Sequence, residues 1–327
     1  MKAKTFFILL VATAVLAGLA ALRFGSEEKT AKVKMGEKLF ADLPINQVAG
    51  VTIAGKGNKV TLAKGEKTWQ VQERDGYPAA FGDLRSLVVK LSTLKIGRSF
   101  SGSADALSRL SLVAPADEAS ENTGIQITMN DASGEMLADV IIGQTRKSDG
   151  GGTSGQYMKK ADADTVFLVD GDYQLVKTAP AYWLQKEVLN IKADDIASVS
   201  CFAGESDKPV FTLARAEKGT AALLTPIPEG RAADSAKIDQ VFDAMAPLTL
   251  DDVSPAGDSS ASDPDGARLV YQLYYGREFT VIPDTSDDGR HTLQIAAAEG
   301  AGELDSAGSS DDTGDAVQTD AADTTAD

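Results

Sequence analysis

Two stretches of the chain place apolar residues on the same beats. In DLRSLVVKLSTLKI, starting at Asp83, the residues Leu84, Leu87, Val88, Leu91 and Leu94 recur at the spacing that lines one face of an α-helix. In KIDQVFDAMAPLTL, starting at Lys237, the apolar residues recur on the same rhythm. A shift of 154 lays Leu84 on Ile238, Leu87 on Val241, Val88 on Phe242, Leu91 on Met245, Leu94 on Leu248 and Ile96 on Leu250. Any two amphipathic helices share such a face, so the match gains weight only from what precedes it.

Before the first helix, QVAGVTIAG and NKVTLAK alternate with a period of two around a glycine turn, and KTWQVQE adds a third strand. YPAAFGD then reads as a loop, broken by Pro78 and Gly82. Before the second helix, DIASVSCFAG, KPVFTLAR and AALLTPIPEG repeat the order of strand, strand, strand and loop. Val48 falls on Ile196, Val51 on Val199, Val60 on Phe211 and Leu62 on Leu213. Matching order as well as matching periodicity predicts an internal duplication.

Each copy continues into short alternating segments. In the first these are TGIQITMND, EMLADVIIG, GQYMKK and DTVFLVD, followed by GDYQLVKTAPAYWLQKEVLNI, which reads as a helix kinked near Pro180. In the second they are ARLVYQLYYG, REFTVIP and HTLQIAAA. In YQLYY, alternation places Tyr271 and Tyr275 on one face and Tyr274 on the other. The expected fold class is therefore α+β: a duplicated unit of antiparallel β-strands plus one amphipathic helix, after an N-terminal transmembrane helix.

That last element comes from MKAKTFFILLVATAVLAGLAALRFG. The uncharged run from Thr5 to Leu22 is long enough to cross a bilayer core and longer than the apolar part of most cleaved signals. Lys2 and Lys4 precede the run, and the export pattern places the body outside the cytoplasm, although Arg23, Lys29, Lys32, Lys34 and Lys38 follow it. The expected plan is an anchor at 1–24, a linker at 25–38, a first repeat at 39–190, a second at 191–298 and a disordered acidic tail at 299–327. The tail holds nine acidic residues and no basic one, with too little apolar surface to offset its ordering.

The formal net charge of -16 argues against nucleic acid as a partner, because phosphate binding needs clustered Lys and Arg. Cys201 is the single cysteine, so no internal disulfide or thiolate cluster can form. The glycine run in SDGGGTSGQ lies between two strand-like segments and opens no helix, so it reads as a hairpin tip and not a phosphate cradle. His291 is the only histidine, and no G-x-S-x-G elbow accompanies it. DPDG and DTSDDG lack the spacing of a calcium loop. Asp194–Asp195 and Asp251–Asp252 are carboxylate pairs in a chain rich in them, and they single out nothing. The expectation is no catalytic residue, no cofactor-binding residue and no metal ligand.

At this point the chain resembles the DUF4340 family. The residues that carry the likeness are Trp69 in KTWQVQ, the first amphipathic helix with its L..L..L.I close at Ile96, and DALSRLSLVAPA with Leu110, Leu112 and Pro115. ADVIIGQ with Gly143, GQYMKK with Tyr157, VFLV, and the run from Trp183 to Val199 complete it. The likeness spans roughly residues 40–295. Ser111 stands where the family usually has Gly, and the second copy lacks its Trp, with Ala222 or Leu223 near that place. The resemblance implies a membrane-anchored bacterial protein, similar in setting to auxiliary subunits encoded beside ABC-type transporters of the gliding-motility kind. It thus implies a non-enzymatic, envelope-facing accessory protein in the cytoplasmic membrane, held through residues 5–22, with transporter permease and ATPase subunits as partners. Two other readings stand beside it. One is an exported ligand-binding protein for polysaccharide or lipid, using Trp69, Trp183 or Tyr271, and the other is a hydrolase built on His291.

Overall fold

The computed structural model describes residues 35–299 apart from 116–121, 148–152, 172, 174–175, 256–265 and 286–288. The expected span at 5–22, the expected tail beyond Glu299 and most of the glycine run lie outside the described residues. The chain divides into two compact units, one comprising the residues up to Val188 with Thr249–Pro255, the other Leu189–Leu248 with the residues from Ala256 onward. The segment Thr249–Pro255, expected in the second repeat, therefore belongs with the first unit.

In the first unit the order is β1 (Gly50–Gly55), β2 (Asn58–Lys64), β3 (Trp69–Val71), β4 (Tyr77–Pro78), α1 (Phe81–Ser92) and β5 (Ile96–Ser101). Then come α2 (Ala104–Arg109), β6 (Ile125–Asn130), β7 (Met136–Lys147), β8 (Thr153–Lys160) and β9 (Thr165–Val169). After β10 (Glu187–Leu189), the second unit runs β11 (Ile196–Ala203), β12 (Phe211–Ala214), β13 (Leu223–Thr225) and α3 (Ser235–Asp243). It closes with β14 (Leu248–Thr249), β15 (Ala267–Leu273), β16 (Arg277–Thr285) and β17 (His291–Glu299).

The α+β expectation is overturned. Strands hold 44% of the described chain against 17% for helical turns, with three α-helices, and no described helix is long and apolar enough to cross a membrane. Much of the difference lies at 171–191, where the expected kinked helix is absent. The chain there makes one 3-10 turn, Pro180–Trp183, and then β10. Its backbone is spent on the neighbouring strand ends instead: Ala80 N–H donates to Trp183 O at 2.7 Å and Gln185 N–H to Pro78 O at 2.9 Å. The indole N–H of buried Trp183 donates to Lys177 O at 2.8 Å. Tyr77 and Pro78, expected in a loop, form β4, and α1 begins at Phe81, two residues before its expected start.

The first unit is a nine-stranded sheet in the order β4-β3-β2-β1-β6-β7-β8-β9-β5. All its pairings are antiparallel. On one face Val51, Ile53, Val60, Leu62, Ile127 and Met129 are buried together with Leu84, Leu87, Val88 and Leu91 of α1. That stripe is the one the heptad-like spacing marks. At β7 both faces are covered: Val140 and Ile142 join the main core, whereas Ile141 packs with Leu112 and Val166 in a smaller cluster. A strand buried on both faces reads as a continuous apolar run, as VII does here.

The smaller cluster depends on how α2 ends. Leu112 N–H bonds to Leu107 O at 2.8 Å and Ser111 N–H to Ser108 O at 3.0 Å. These are the two bonds of a Schellman stop, and Leu112 is packed with Leu107 as the motif requires. Ser111 therefore sits at φ 54°, a left-handed position that favours glycine. This gives a physical reason for the Gly that the family usually has there. Gly143 is fixed by a different constraint: a Cβ would stand 2.3 Å from Leu110 O.

The second unit is a six-stranded antiparallel sheet, β13-β12-β11-β15-β16-β17. Val199, Leu213, Tyr271, Phe279 and Val281 form its core with Ile238, Phe242 and Met245 on and just after α3. Central β11 pairs Val199 with Leu213 and Tyr271, just as β1 pairs Val51 with Leu62 and Met129. Asp234 caps α3, its carboxylate accepting from Ala236 and Lys237 N–H.

Two stability outcomes follow from these contacts. Replacing Ser111→Gly removes a strained left-handed serine and should raise the unfolding free energy by about 1 kcal/mol in urea denaturation. Replacing Gly143→Ala should lower it by about 1–3 kcal/mol, since backbone and not a movable side chain meets the new methyl group.

Candidate functional site

Most of the polar groups that attract attention in the sequence are structural. Gln156, at the end of the glycine-rich stretch, is fully buried. Its amide donates to Gly143 O, and its carbonyl accepts from Tyr173 N–H at 3.0 Å and from the Thr145 hydroxyl. Lys159 is buried and donates to Ala161 O and Ala163 O, holding the β8–β9 turn. Asp195 pairs with Lys218 at 2.6 Å, and that hydrogen bond holds the ammonium above its usual range. Asp194 lies 3.8 Å from Arg215, whose guanidinium stacks 4.1 Å over the Phe242 ring.

Asp252 forms a bidentate pair with Arg74, Nε to Oδ1 at 2.6 Å and Nη2 to Oδ2 at 2.8 Å. Lys186 Nζ donates to Asp251 O, and Leu250 N–H to Lys186 O. The Asp252 carboxylate and the Asp251 carbonyl thus fasten Thr249–Pro255 within the first unit.

The candidate chemical residues do not converge. His291 opens β17 and its described partner is the Thr285 hydroxyl, 3.0 Å from Nδ1. Cys201 is half-buried on β11, and burial pushes its thiol above the usual range. Among the described residues no group of three His, Cys, Asp or Glu side chains could hold a metal ion. Asp263–Asp265 of DPDG and three central positions of DTSDDG lie outside the described residues.

The aromatic candidates are also committed. Trp183 and Tyr271 are core residues, and Trp69 packs half-buried against the first core. The Tyr271 hydroxyl donates to Val241 O at 3.3 Å, and burial raises its pKa. Alternation does not carry on to Tyr274 and Tyr275, because β15 ends at Leu273 and both rings are exposed in the turn that follows.

The outward sheet faces are more informative. In the first unit the face away from α1 carries a shallow depression of 480 Å³ lined by Thr52, Ala54, Asn58, Lys59, Gln126 and Thr128, among others. Beside it Asp139 accepts from the Gln126 amide at 2.9 Å and the Thr128 hydroxyl at 3.3 Å. This face is polar.

The same register positions in the second unit differ in chemistry. Phe202 stands where Ala54 stands, Val210 where Lys59 stands, and Arg268 and Val270 where Gln126 and Thr128 stand. Val210 is 56% exposed and Leu223 on β13 is 70% exposed. Ser200 and Thr212, hydrogen-bonded through their hydroxyls, lie between them, and Arg268 covers Phe202 at 4.4 Å. No carboxylate occupies the position of Asp139, which is filled by Thr280. An outward sheet face with exposed Val and Leu, two hydroxyls and one arginine suits contact with another protein. Sequence reading missed this surface because strand alternation alone does not say which unit's outer face is apolar.

Lowering the pH tests the carboxylate pair. The Arg74 hydrogen bond holds Asp252 below its ordinary value of 3.8. A depressed folded pKa contributes stability above that value and loses it as the pH falls through the folded pKa. Replacing Arg74→Ala should therefore bring the Asp252 titration back toward 3.8 in carboxyl-detected NMR.

A family model described as Domain of unknown function (DUF4340) matches residues 69–269. No curated protein and no solved structure matches the chain.

Proposed function

The chain belongs to the DUF4340 family, and on that premise we propose that it is a non-enzymatic accessory protein of the cell envelope that serves an ABC-type transporter complex. The observation that carries this reading is the outer face of the second unit, where exposed aliphatic side chains stand at places that are polar in the first. Exposed Leu223 and Val210, with Phe202 beneath Arg268, offer another protein a flat surface without a carboxylate among those positions. Arginine and aromatic side chains are the types enriched at protein contacts, and Arg268 over Phe202 supplies both here. The apolar stretch at residues 5–22 supplies membrane attachment, and exporting the body places this face beside a permease.

Ligand binding draws less support. The depression in the first unit offers hydroxyls and amides, but its six main lining residues include no aromatic ring, and Gln126 and Thr128 are already engaged by Asp139.

The test is co-purification from mild detergent with a tag placed within residues 299–327. Permease and ATPase subunits should accompany the chain, and should be lost when residues 1–24 are replaced by a cleavable signal. The double substitution Val210→Glu/Leu223→Glu should reduce their recovery at least roughly tenfold, since charges set on an interface core cost about 1–3 kcal/mol or more. Both positions are exposed, so thermal unfolding should shift little. A chain that emerges alone in every case overturns the transporter reading.

A further inference from the structure

Sheet edges are a liability that most proteins guard, and three of the four ends of the two large sheets are guarded. The strand β4 is two residues long, and its neighbour Ala79 is bridged to Leu184. At β5 a register break separates Ile96 from Arg98, and exposed Arg98 places a charge on that strand. The strand β13 is three residues long and runs directly into Pro226.

The fourth end, β17, carries none of these devices. It is nine residues long, HTLQIAAAE, with no proline, glycine or lysine, and its ionisable residues sit at its two ends. It pairs with β16 over nine consecutive positions, from Arg277–Glu299 to Thr285–His291, with no bulge. Its other side is the end of the sheet. Leu293 is 48% exposed, and Ile295 is partly buried against the second core.

The first unit shows what normally fills this position. Counting outward from the central strand, β1-β6-β7-β8 corresponds to β11-β15-β16-β17. In the first unit β8 is followed by β9, paired from Gln156–Val169 to Lys159–Val166, and β5 lies beyond it. Among the described residues of the second unit no strand takes that place.

We propose that β17 pairs antiparallel with β17 of a second copy of this chain, centred on Ile295. The sequence of the strand is complementary to itself in that register. His291 then faces Glu299 twice, Leu293 faces Ala297 twice, Thr292 faces Ala298, Gln294 faces Ala296, and Ile295 meets Ile295. Like charges directly across strands are avoided in this register, and aliphatic pairs on the shared face favour it. For a chain of net charge -16, approach of two copies is costly over most surfaces. Within this register no carboxylate of the strand faces another carboxylate, since Glu299 stands opposite His291. The contact has two-fold symmetry and closes on itself, so it yields a dimer with one continuous twelve-stranded sheet and no filament. The pairing uses residues distinct from Val210 and Leu223 and stands independently of the transporter reading.

The test uses the full chain in detergent, in a Cys201→Ala background. Paired residues across antiparallel strands bring Cα atoms within reach of a disulfide, whereas residues four apart along a strand lie about 13 Å away. Under mild oxidation Ile295→Cys should give a covalent dimer, and Leu293→Cys alone should not. The pair Leu293→Cys with Ala297→Cys should restore cross-linking. Sedimentation velocity should show a concentration-dependent dimer, weakened at least roughly tenfold by Leu293→Lys, which adds the missing edge guard at an exposed position without altering the circular dichroism spectrum. A monomer at every concentration overturns the proposal. So does a dimer indifferent to Leu293→Lys, or one that Leu293→Cys alone traps, since the first places the contact elsewhere and the second requires another register. Cross-linking of Ile295→Cys to a different protein would likewise overturn it in favour of a foreign strand.

Discussion

Both units depend on a central strand whose inward side chains are paired on two sides at once. Val51 and Ile53 of β1 stand against Leu62 and Val60 on one flank and against Met129 and Ile127 on the other, and all six are essentially inaccessible. Because side chains alternate with a period of two, a slip of one residue would turn Thr52 and Ala54 into the core and expose both valine and isoleucine. Each fully buried aliphatic side chain contributes about 1.5–3 kcal/mol, so the register is fixed far more firmly by this packing than by any hydrogen bond along the strand. The helix then follows as a consequence. Leu84, Leu87, Val88 and Leu91 have a flat apolar face to cover, and α1 covers it. In the second unit β11 imposes the same constraint with Val199, Leu213 and Tyr271, and Phe242 of α3 fills the space above them.

A constraint confined to the inward face leaves the outward face free to diverge, and the two units have used that freedom in opposite directions. At equivalent register positions the first unit carries Lys59, Gln126, Thr128 and Asp139, and the second carries Val210, Arg268, Val270 and Thr280. The inward partners keep their apolar character throughout, with Cys201 in the place of Ile53 as the smallest of them. Half-buried Cys201 is thus a packing residue, and its raised thiol pKa follows from that position and not from any reactive partner.

What the sequence made legible follows the same division. The helix stripes, the strands β1, β2, β6, β7, β9, β11, β12, β15, β16 and β17, and the inward residues were readable because burial imposes a period. The short strand β5 was not, because IGRSFS carries one buried residue and then exposed ones, so no alternation survives. The helix α2 was hidden because its stop signal, normally glycine, is Ser111. The segment 171–191 misled because Tyr173, Trp183 and Leu184 have helix-like spacing, yet each is held by a separate tertiary contact: Gln156, Lys177 and Ala79. Tertiary partners overrode local propensity there. The outer face of the second unit was unreadable for a different reason. An exposed valine or leucine on a strand is common, and it becomes informative only when register shows a lysine and an aspartate at the matching places of a sister sheet.

The two sheets also end differently, and this difference bears on how such a protein is used. The first unit continues past β8 with β9 and β5, so that β8 is an interior strand. In the second unit Leu293 and Ile295 of β17 lie on the core side, and among the described residues no strand pairs beyond it. Under the proposed role as a partner of other proteins, a tightly tied unit and an open strand edge serve different ends. The first unit is tied by buried Gln156, by Trp183 O accepting from Ala80 N–H and by the Arg74–Asp252 pair, each joining separate segments of the chain. Under the proposed pairing, the outer edge of β17 offers backbone donors and acceptors, where affinity comes from main-chain hydrogen bonds and specificity from the side chains alternating across them.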